Sequence, residues 1–268
     1  MVAPSARRLP DLITDSAFAQ GRAETLRYHE DFYESTPLGA ANSWLLEPDQ
    51  LVLKALALCG GANPILAFDL GAGVGRHTIP MAQGLAAGSK VVAVDVIPSA
   101  IAHLKANCAA AGVLDMVTPV VGDLEKFTFD TSMAVGLIVG FSAVEHVSSI
   151  TAMRGLLCRC AAATAPGGLI ALGIFADRIE ELADGTIRPA LVEFELDSTT
   201  VHSLLDEVFS SWIVEYAHTG AEHVPEERDG ISYNLESTLI QFIGRRPRNG
   251  RGMKEASQEK ARTSHCFE

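Results

Sequence analysis

Residues 65–75 read ILAFDLGAGVG, and Arg76 and His77 follow. The apolar run Ile65, Leu66, Ala67 and Phe68 has the character of a buried strand, while Gly71, Gly73 and Gly75 let the backbone turn tightly and approach a ligand before a helix begins. The spacing departs from the dinucleotide fingerprint G-x-G-x-x-G, because the third glycine comes one residue early and Arg76 holds the sixth position. Asp69 departs as well. A carboxylate just ahead of the glycines repels a pyrophosphate and suits a ligand carrying an amine or a sulfonium. A helix over 75–85 and a second strand over 90–94 then lead to Asp95, an acid at a strand tip that can accept both ribose hydroxyls of an adenosine ligand.

Outward from this stretch the strand–helix pattern repeats. Residues 98–111 read as a helix with Gly112 as its end cap, 116–121 as a third strand closed by Gly122-Asp123-Leu124, and 134–140 as a wholly apolar central strand. The carboxyl end of that strand places Phe141, Ser142, Glu145 and His146 where catalytic groups collect in open α/β sheets. A helix over 149–164 and Pro166-Gly167-Gly168 lead to a strand over 169–175. The polar, irregular insertion at 177–196 is expected to lie over the carboxyl edge, where substrate pockets are built. After a helix over 199–209 capped by Ser198, the alternating segments SWIVEYAH (211–218) and LESTLIQFI (235–243), joined by polar 219–230, predict an antiparallel hairpin. Upstream, residues 1 to about 20 predict a loose or weakly helical leader. Residues 22–34 predict an aromatic-rich helix, and 50–58 an apolar helix started by Glu47-Pro48-Asp49.

D-L-G-A-G-V-G, V-V-A-V-D, V-V-G-D and Pro166-Gly167-Gly168 resemble the motifs of class I S-adenosylmethionine-dependent methyltransferases over about residues 50–244. The resemblance implies a three-layer α/β/α Rossmann-like fold, its mostly parallel seven-stranded sheet ending in a C-terminal antiparallel hairpin. It implies S-adenosyl-L-methionine as cofactor and in-line methyl transfer to a small-molecule nucleophile. Its cofactor positions fall on Asp69, Gly71, Ala72, Gly73, Gly75 and Arg76 of the loop, on Asp95, and on Phe141. It also assigns Asp123 to the adenine amine, with Val96 and Leu124 sandwiching the ring. Residues 212–247 are similar to the closing hairpin of the tellurite-resistance (TehB-like) methyltransferases, which act on chalcogen oxyanions or related small nucleophiles. The chain departs from them in its longer amino-terminal segment, its 177–196 insertion and its basic tail. A non-catalytic S-adenosylmethionine-binding module and a nicotinamide-dependent oxidoreductase stay open as alternatives; Asp69, Arg76 and the hairpin disfavour the second.

Residues 1–49 are expected to form an amino-terminal segment and substrate lid, 50–244 the methyltransferase domain, and 245–268 a charged, disordered tail. Tyr28, Tyr33 and Trp44 are candidates to contact substrate, and His146 and His29 are candidate catalytic bases. Neither histidine has an identifiable partner in the sequence, and His146 reads equally as a helix-end histidine bonded to backbone. The absence of a certain base favours a soft nucleophile or catalysis by positioning.

Composition narrows the function. The 268 residues are 48% hydrophobic, enough for a substantial core, and carry 33 acidic against 21 basic side chains for a net charge of -12. That sign disfavours a nucleic-acid partner and favours a small-molecule acceptor. Five cysteines, odd in number and in apolar or helical settings, read as reduced cytoplasmic thiols. Cys158-Arg159-Cys160 lacks a second pair with metal-ligand spacing, so no metal is expected. No apolar run reaches about 18 residues and the first residues lack a signal core, so neither membrane insertion nor secretion is expected. Oligomeric state is not legible.

Overall fold

A computed structural model describes residues 9–61, 63–129 and 132–248, with side chains from residue 17. Strands β1 (Leu66–Leu70), β2 (Lys90–Asp95), β3 (Val117–Val121), β4 (Val135–Phe141) and β5 (Thr164–Leu182) are parallel where they pair. The short β6 (Ile187–Pro189) pairs antiparallel with β5. β7 (Ile213–Arg228) and β8 (Ile231–Arg245) form the closing hairpin, and the order is β3-β2-β1-β4-β5-β8-β7. The sheet thus has eight strands rather than the expected seven. The added strand, β6, comes from the insertion that its polarity made look irregular.

Strand alternation builds the two cores. Leu66, Phe68 and Leu70 of β1 point to the face covered by α5 (Ile150–Ala163) and α6 (Ser198–Val208), where Met153, Leu156, Leu157, Val201 and Leu204 are buried with them. Ala67 points to the opposite face, against Leu51 and Val52 of α2 (Gln50–Cys59), Met81 of α3 (Thr78–Gly84) and Leu104 of α4 (Pro98–Ala110). This is the expected three-layer arrangement, and no described helix is long and apolar enough to cross a membrane. Helix starts follow from side-chain oxygens that accept otherwise unpaired backbone N–H groups: Asp49 from Leu51, and Ser149 from Ala152. For α6 the cap is Asp197, not Ser198. Its Oδ1 accepts the Thr200 N–H at 2.8 Å.

Two segments are longer than expected. Of the two forms expected for the leader the helical one is found from Leu9, and α1 runs Leu9–Ser35 in one piece before Pro37 stops it. β5 does not end near Phe175: it leaves β4 at the Phe141–Gly173 pair and continues, bulged at Ala176/Ile179, to Leu182. There it pairs with β8, and the strand pair β7–β8 runs on past the sheet's carboxyl edge. The polar residues 219–228 belong to β7 because the cross-strand ladder, rather than side-chain alternation, sets their conformation. At the other end, Arg246 exchanges backbone hydrogen bonds with Gly167 and Gly168 and donates to the Ala161 carbonyl, so the chain stays tied to the sheet past residue 245. Most of the expected disordered tail, 249–268, lies outside the described residues.

Candidate functional site

The glycine loop leaves β1 and crosses the carboxyl edge. Gly71 has φ +73°, and a Cβ there would lie 2.6 Å from that of Ala143, so the loop abuts the turn after β4. Gly73 has φ +50°, and its missing Cβ leaves room for the Tyr33 hydroxyl, 2.5 Å from where that atom would stand. Asp95 staples the loop: Oδ2 accepts the Gly73 N–H at 2.8 Å and Oδ1 the Ile97 N–H at 2.9 Å. Asn107 adds a bond to the Val74 carbonyl.

Asp69 falls on the Ala67 face of β1 and meets α3, where the Thr78 hydroxyl donates to Oδ2 at 2.6 Å. Its Oδ1 is buried without a partner among the described residues. Burial pushes its pKa up to about 7, with the Asp95 charge adding and the Thr78 hydrogen bonds opposing. His29 and His77 are displaced the other way. Burial holds His29 at about 4, with His146 adding, and His77 at about 3, with Arg76 adding.

These shifts predict an acid-sensitive fold. Both imidazoles are neutral when folded and take up protons on unfolding below about pH 6.5, so stability is full above that pH and falls toward pH 4. Asp69 has the opposite sign, since its proton is released on unfolding and stability is lost as pH rises from about 4 to 7. Burial raises Asp95 too, in the same sense as Asp69, so the imidazole contribution is read by difference: the melting midpoint of the wild type relative to that of His77→Gln should rise between pH 4.5 and 6.5, and a difference that does not change with pH would refute the assignment.

A cavity of about 340 Å³ opens beside the loop. Gly71, Ala72, Gly73, Arg76, Phe141 and His146 line it, as do His29, Tyr28, Tyr33 and Trp44. The structure therefore brings the loop, both candidate bases and all three candidate substrate contacts to one chamber. Asp95, Val96, Asp123 and Leu124 lie outside its lining, as do the buried Asp69 and Gly75. Val96 packs beside Tyr33 and Val74, and Leu124 against the α5 face. Asp123, with a side chain 34% exposed, accepts the Glu125 N–H at 3.0 Å in a local turn. Tyr33 is buried over the loop with Leu45, Val74, Ile97 and Ala100, so it covers the loop more than it faces open space. Trp44 stacks on Phe32 with centroids 4.9 Å apart, and the Arg76 guanidinium lies 5.7 Å from its ring.

His146 has a partner that the sequence did not disclose. Its Nδ1 lies 3.2 Å from both carboxylate oxygens of Glu193, which comes from the insertion, and its Nε2 is buried with no hydrogen-bond partner among the described residues. Arg22 of α1 donates to the His146 carbonyl at 2.7 Å and lies 3.7 Å from Glu193. Beside this contact the Gly21 position of α1 meets the Val192 backbone, where a Cβ would stand 2.1 Å from the carbonyl oxygen. Gly21→Ala should therefore lift α1 off the insertion, seen as faster amide exchange across residues 17–35; unchanged protection would show the contact yields without cost.

The distal wall was missed as well. Glu180 of β5 is 1% exposed, accepts both Arg228 guanidinium nitrogens at 2.8 and 2.7 Å and takes Arg188 Nε at 2.7 Å. Burial opposes its ionisation, yet the two arginines hold its pKa below the usual carboxylate range. Tyr233 of β8 donates to Glu226 of β7 at 2.9 Å. These side chains join β5, β6, β7 and β8 into one wall facing α1.

A parallel sheet with a glycine loop after β1, an acid after β2 and an antiparallel last strand inserted beside β5 defines the class I methyltransferase architecture. Residues 67–168 match a family model described as a methyltransferase domain. The match spans 102 of the 268 residues, and the sheet continues beyond it through β7 and β8. Among solved structures, TehB from Haemophilus influenzae is 14% identical, with a TM-score of 0.58 over 77% of this chain. The alignment spans 64% of the TehB chain, just under two thirds. The N-methyltransferase NodS from Bradyrhizobium japonicum, solved with S-adenosyl-L-homocysteine, is 14% identical with a TM-score of 0.51, covering 85% of this chain and 99% of its own. The 1,6-didemethyltoxoflavin-N1-methyltransferase of Burkholderia thailandensis is 17% identical with a TM-score of 0.50, covering 92% and 93%. At these identities the likeness is one of fold. No curated protein matches the chain.

Proposed function

We propose that this chain transfers a methyl group from S-adenosyl-L-methionine to a small-molecule nucleophile held in the cavity beside the glycine loop. The observation that carries this reading is that one chamber is bounded by the loop on one side and by a ring-lined, helix-covered space containing His146 on the other. The residues fit the cofactor. The loop abuts its neighbours so closely that side chains are excluded at Gly71 and Gly73, and the buried Asp69 Oδ1 is unpaired among the described residues. Asp95 uses each oxygen once for backbone and keeps lone pairs for ribose hydroxyls, while Asp123 with Val96 and Leu124 would hold the adenine.

Bound there, the cofactor supplies a methyl group already activated as a sulfonium. The protein's work is then alignment and exclusion of water. Tyr33 and Leu45 cover the loop, α1 roofs the chamber, and the extended β5, β7 and β8 close its far side. NodS and the toxoflavin enzyme, whose structures hold S-adenosylhomocysteine, support the cofactor assignment; the small heterocycle bound to the latter supports a small-molecule acceptor. Calorimetric titration with S-adenosylmethionine, S-adenosylhomocysteine and NAD tests the proposal. Binding of both adenosyl ligands without NAD is expected, and binding of NAD alone would overturn it.

A further inference from the structure

The pair His146–Glu193 is the arrangement on which the acceptor's chemistry turns. Nδ1 faces the Glu193 carboxylate at 3.2 Å, so Glu193 accepts the Nδ1 proton and fixes the tautomer in which Nε2 carries a lone pair. Nε2 is buried, has no hydrogen-bond partner among the described residues, and belongs to a residue lining the cavity. A buried acceptor of this kind costs free energy unless a donor meets it, and a hydroxyl held in the cavity would supply that donor. The pair is itself held: Arg22 bonds the His146 carbonyl, and the His29 ring, whose Nδ1 is engaged by the Thr25 carbonyl, packs edge-on at 6.1 Å. Burial opposes the ionisation of Glu193, but the hydrogen bond from His146 outweighs it and holds the carboxyl below its usual range.

A soft chalcogen nucleophile or a neutral amine attacks a sulfonium methyl without first losing a proton. A hydroxyl near pKa 10 does not, and it is the acceptor that needs a positioned base. The chamber walls add the carrier. Tyr28, Tyr33, Trp44, Phe141, Phe175 and Tyr233 all face it, and ring faces and edges of this kind suit a flat aromatic molecule.

Resting on the methyltransferase reading, we propose that the acceptor is an aromatic hydroxyl, with His146 as the base and Glu193 as the residue that positions it. The acceptor O–H donates to His146 Nε2 and gives up its proton there. The oxygen forms the new O–CH3 bond as the sulfur–methyl bond breaks with its pair left on sulfur. The proton ends on the imidazolium, balanced by Glu193.

The 268-residue chain is tested with S-adenosylmethionine against phenols, hydroxyquinolines, aryl thiols, anilines, selenite and tellurite, with methylated products identified by mass spectrometry. S-adenosylhomocysteine binding is measured in parallel. For the best phenol, rates are compared with those of its nitro analogue, which is already ionised at neutral pH. His146→Gln is expected to lose about 100-fold or more in kcat with the parent phenol and only a few-fold with the nitro analogue. The isosteric Glu193→Gln should show the same contrast with a smaller loss, in kcat rather than KM. Equal losses on both acceptors overturn the base assignment, and so does methylation of thiols or oxyanions with no phenol turned over. Bound S-adenosylhomocysteine with no aromatic hydroxyl methylated overturns the acceptor alone. Absence of S-adenosylhomocysteine binding overturns the methyltransferase reading beneath it.

Discussion

Asp95→Asn is expected to weaken S-adenosylhomocysteine binding by about 100-fold and to destabilise the fold. The carboxylate accepts one N–H from the glycine loop and one from the start of α4, at 2.8 and 2.9 Å, in a residue 8% exposed. An amide keeps one acceptor and turns its NH2 toward the other donor, leaving a buried N–H unpaired at a cost of about 1–3 kcal/mol. The loop at Gly73 is then free to shift against Tyr33, and the ribose loses a charged acceptor. Two charge-assisted hydrogen bonds lost together amount to about 3 kcal/mol, which is roughly two decades of affinity. Calorimetry gives the affinity and thermal melting the stability. An affinity within threefold of wild type would show that Asp95 holds the loop without touching ligand.

The second large effect is expected at the opposite wall. Glu180→Ala leaves Arg228 and Arg188 without their carboxylate inside a wall where Glu180 is 1% exposed. Breaking a buried ion pair from one side costs about 3–5 kcal/mol where the remaining charge stays desolvated; here that charge is Arg228, with a side chain 15% exposed, while Arg188, at 36%, reaches water. For a chain of this size that is on the order of 10 °C in melting midpoint. Glu180→Gln, which keeps an acceptor for one arginine, should fall between. A drop below about 2 °C in the alanine variant would mean that the arginines reach water and that the cluster behaves as a surface pair.

The two sites differ in how far sequence reveals them. Asp95 is legible because strand, glycine loop and acid follow one another within about thirty residues, and local spacing carries their geometry. Glu180 is not. It sits in a polar stretch after a bulge at Asp177, which reads as a loop, and becomes a strand residue only because β8 supplies the ladder partners. Glu193 has the same history. His146 stood without a partner in the sequence, since the acid that orients it is 47 residues away in a segment without periodicity. Ser198 was read as the α6 cap because serine favours that position, and the neighbouring Asp197 took it by reaching the Thr200 N–H.

By itself the sequence determined the sheet's parallel core, the glycine loop and the closing antiparallel pair, because each depends on hydrophobic period and turn residues near one another in the chain; the three-layer arrangement came from the family resemblance those motifs carry. Only the tertiary structure decided how the chamber is closed and which charges meet in it: α1 lying on Val192 through Gly21, Arg22 on the His146 carbonyl, Glu193 on the imidazole and Glu180 between two arginines. These are contacts between distant segments whose own sequences are polar and aperiodic. Their partners are chosen by the shape of the packed elements, which no local pattern encodes.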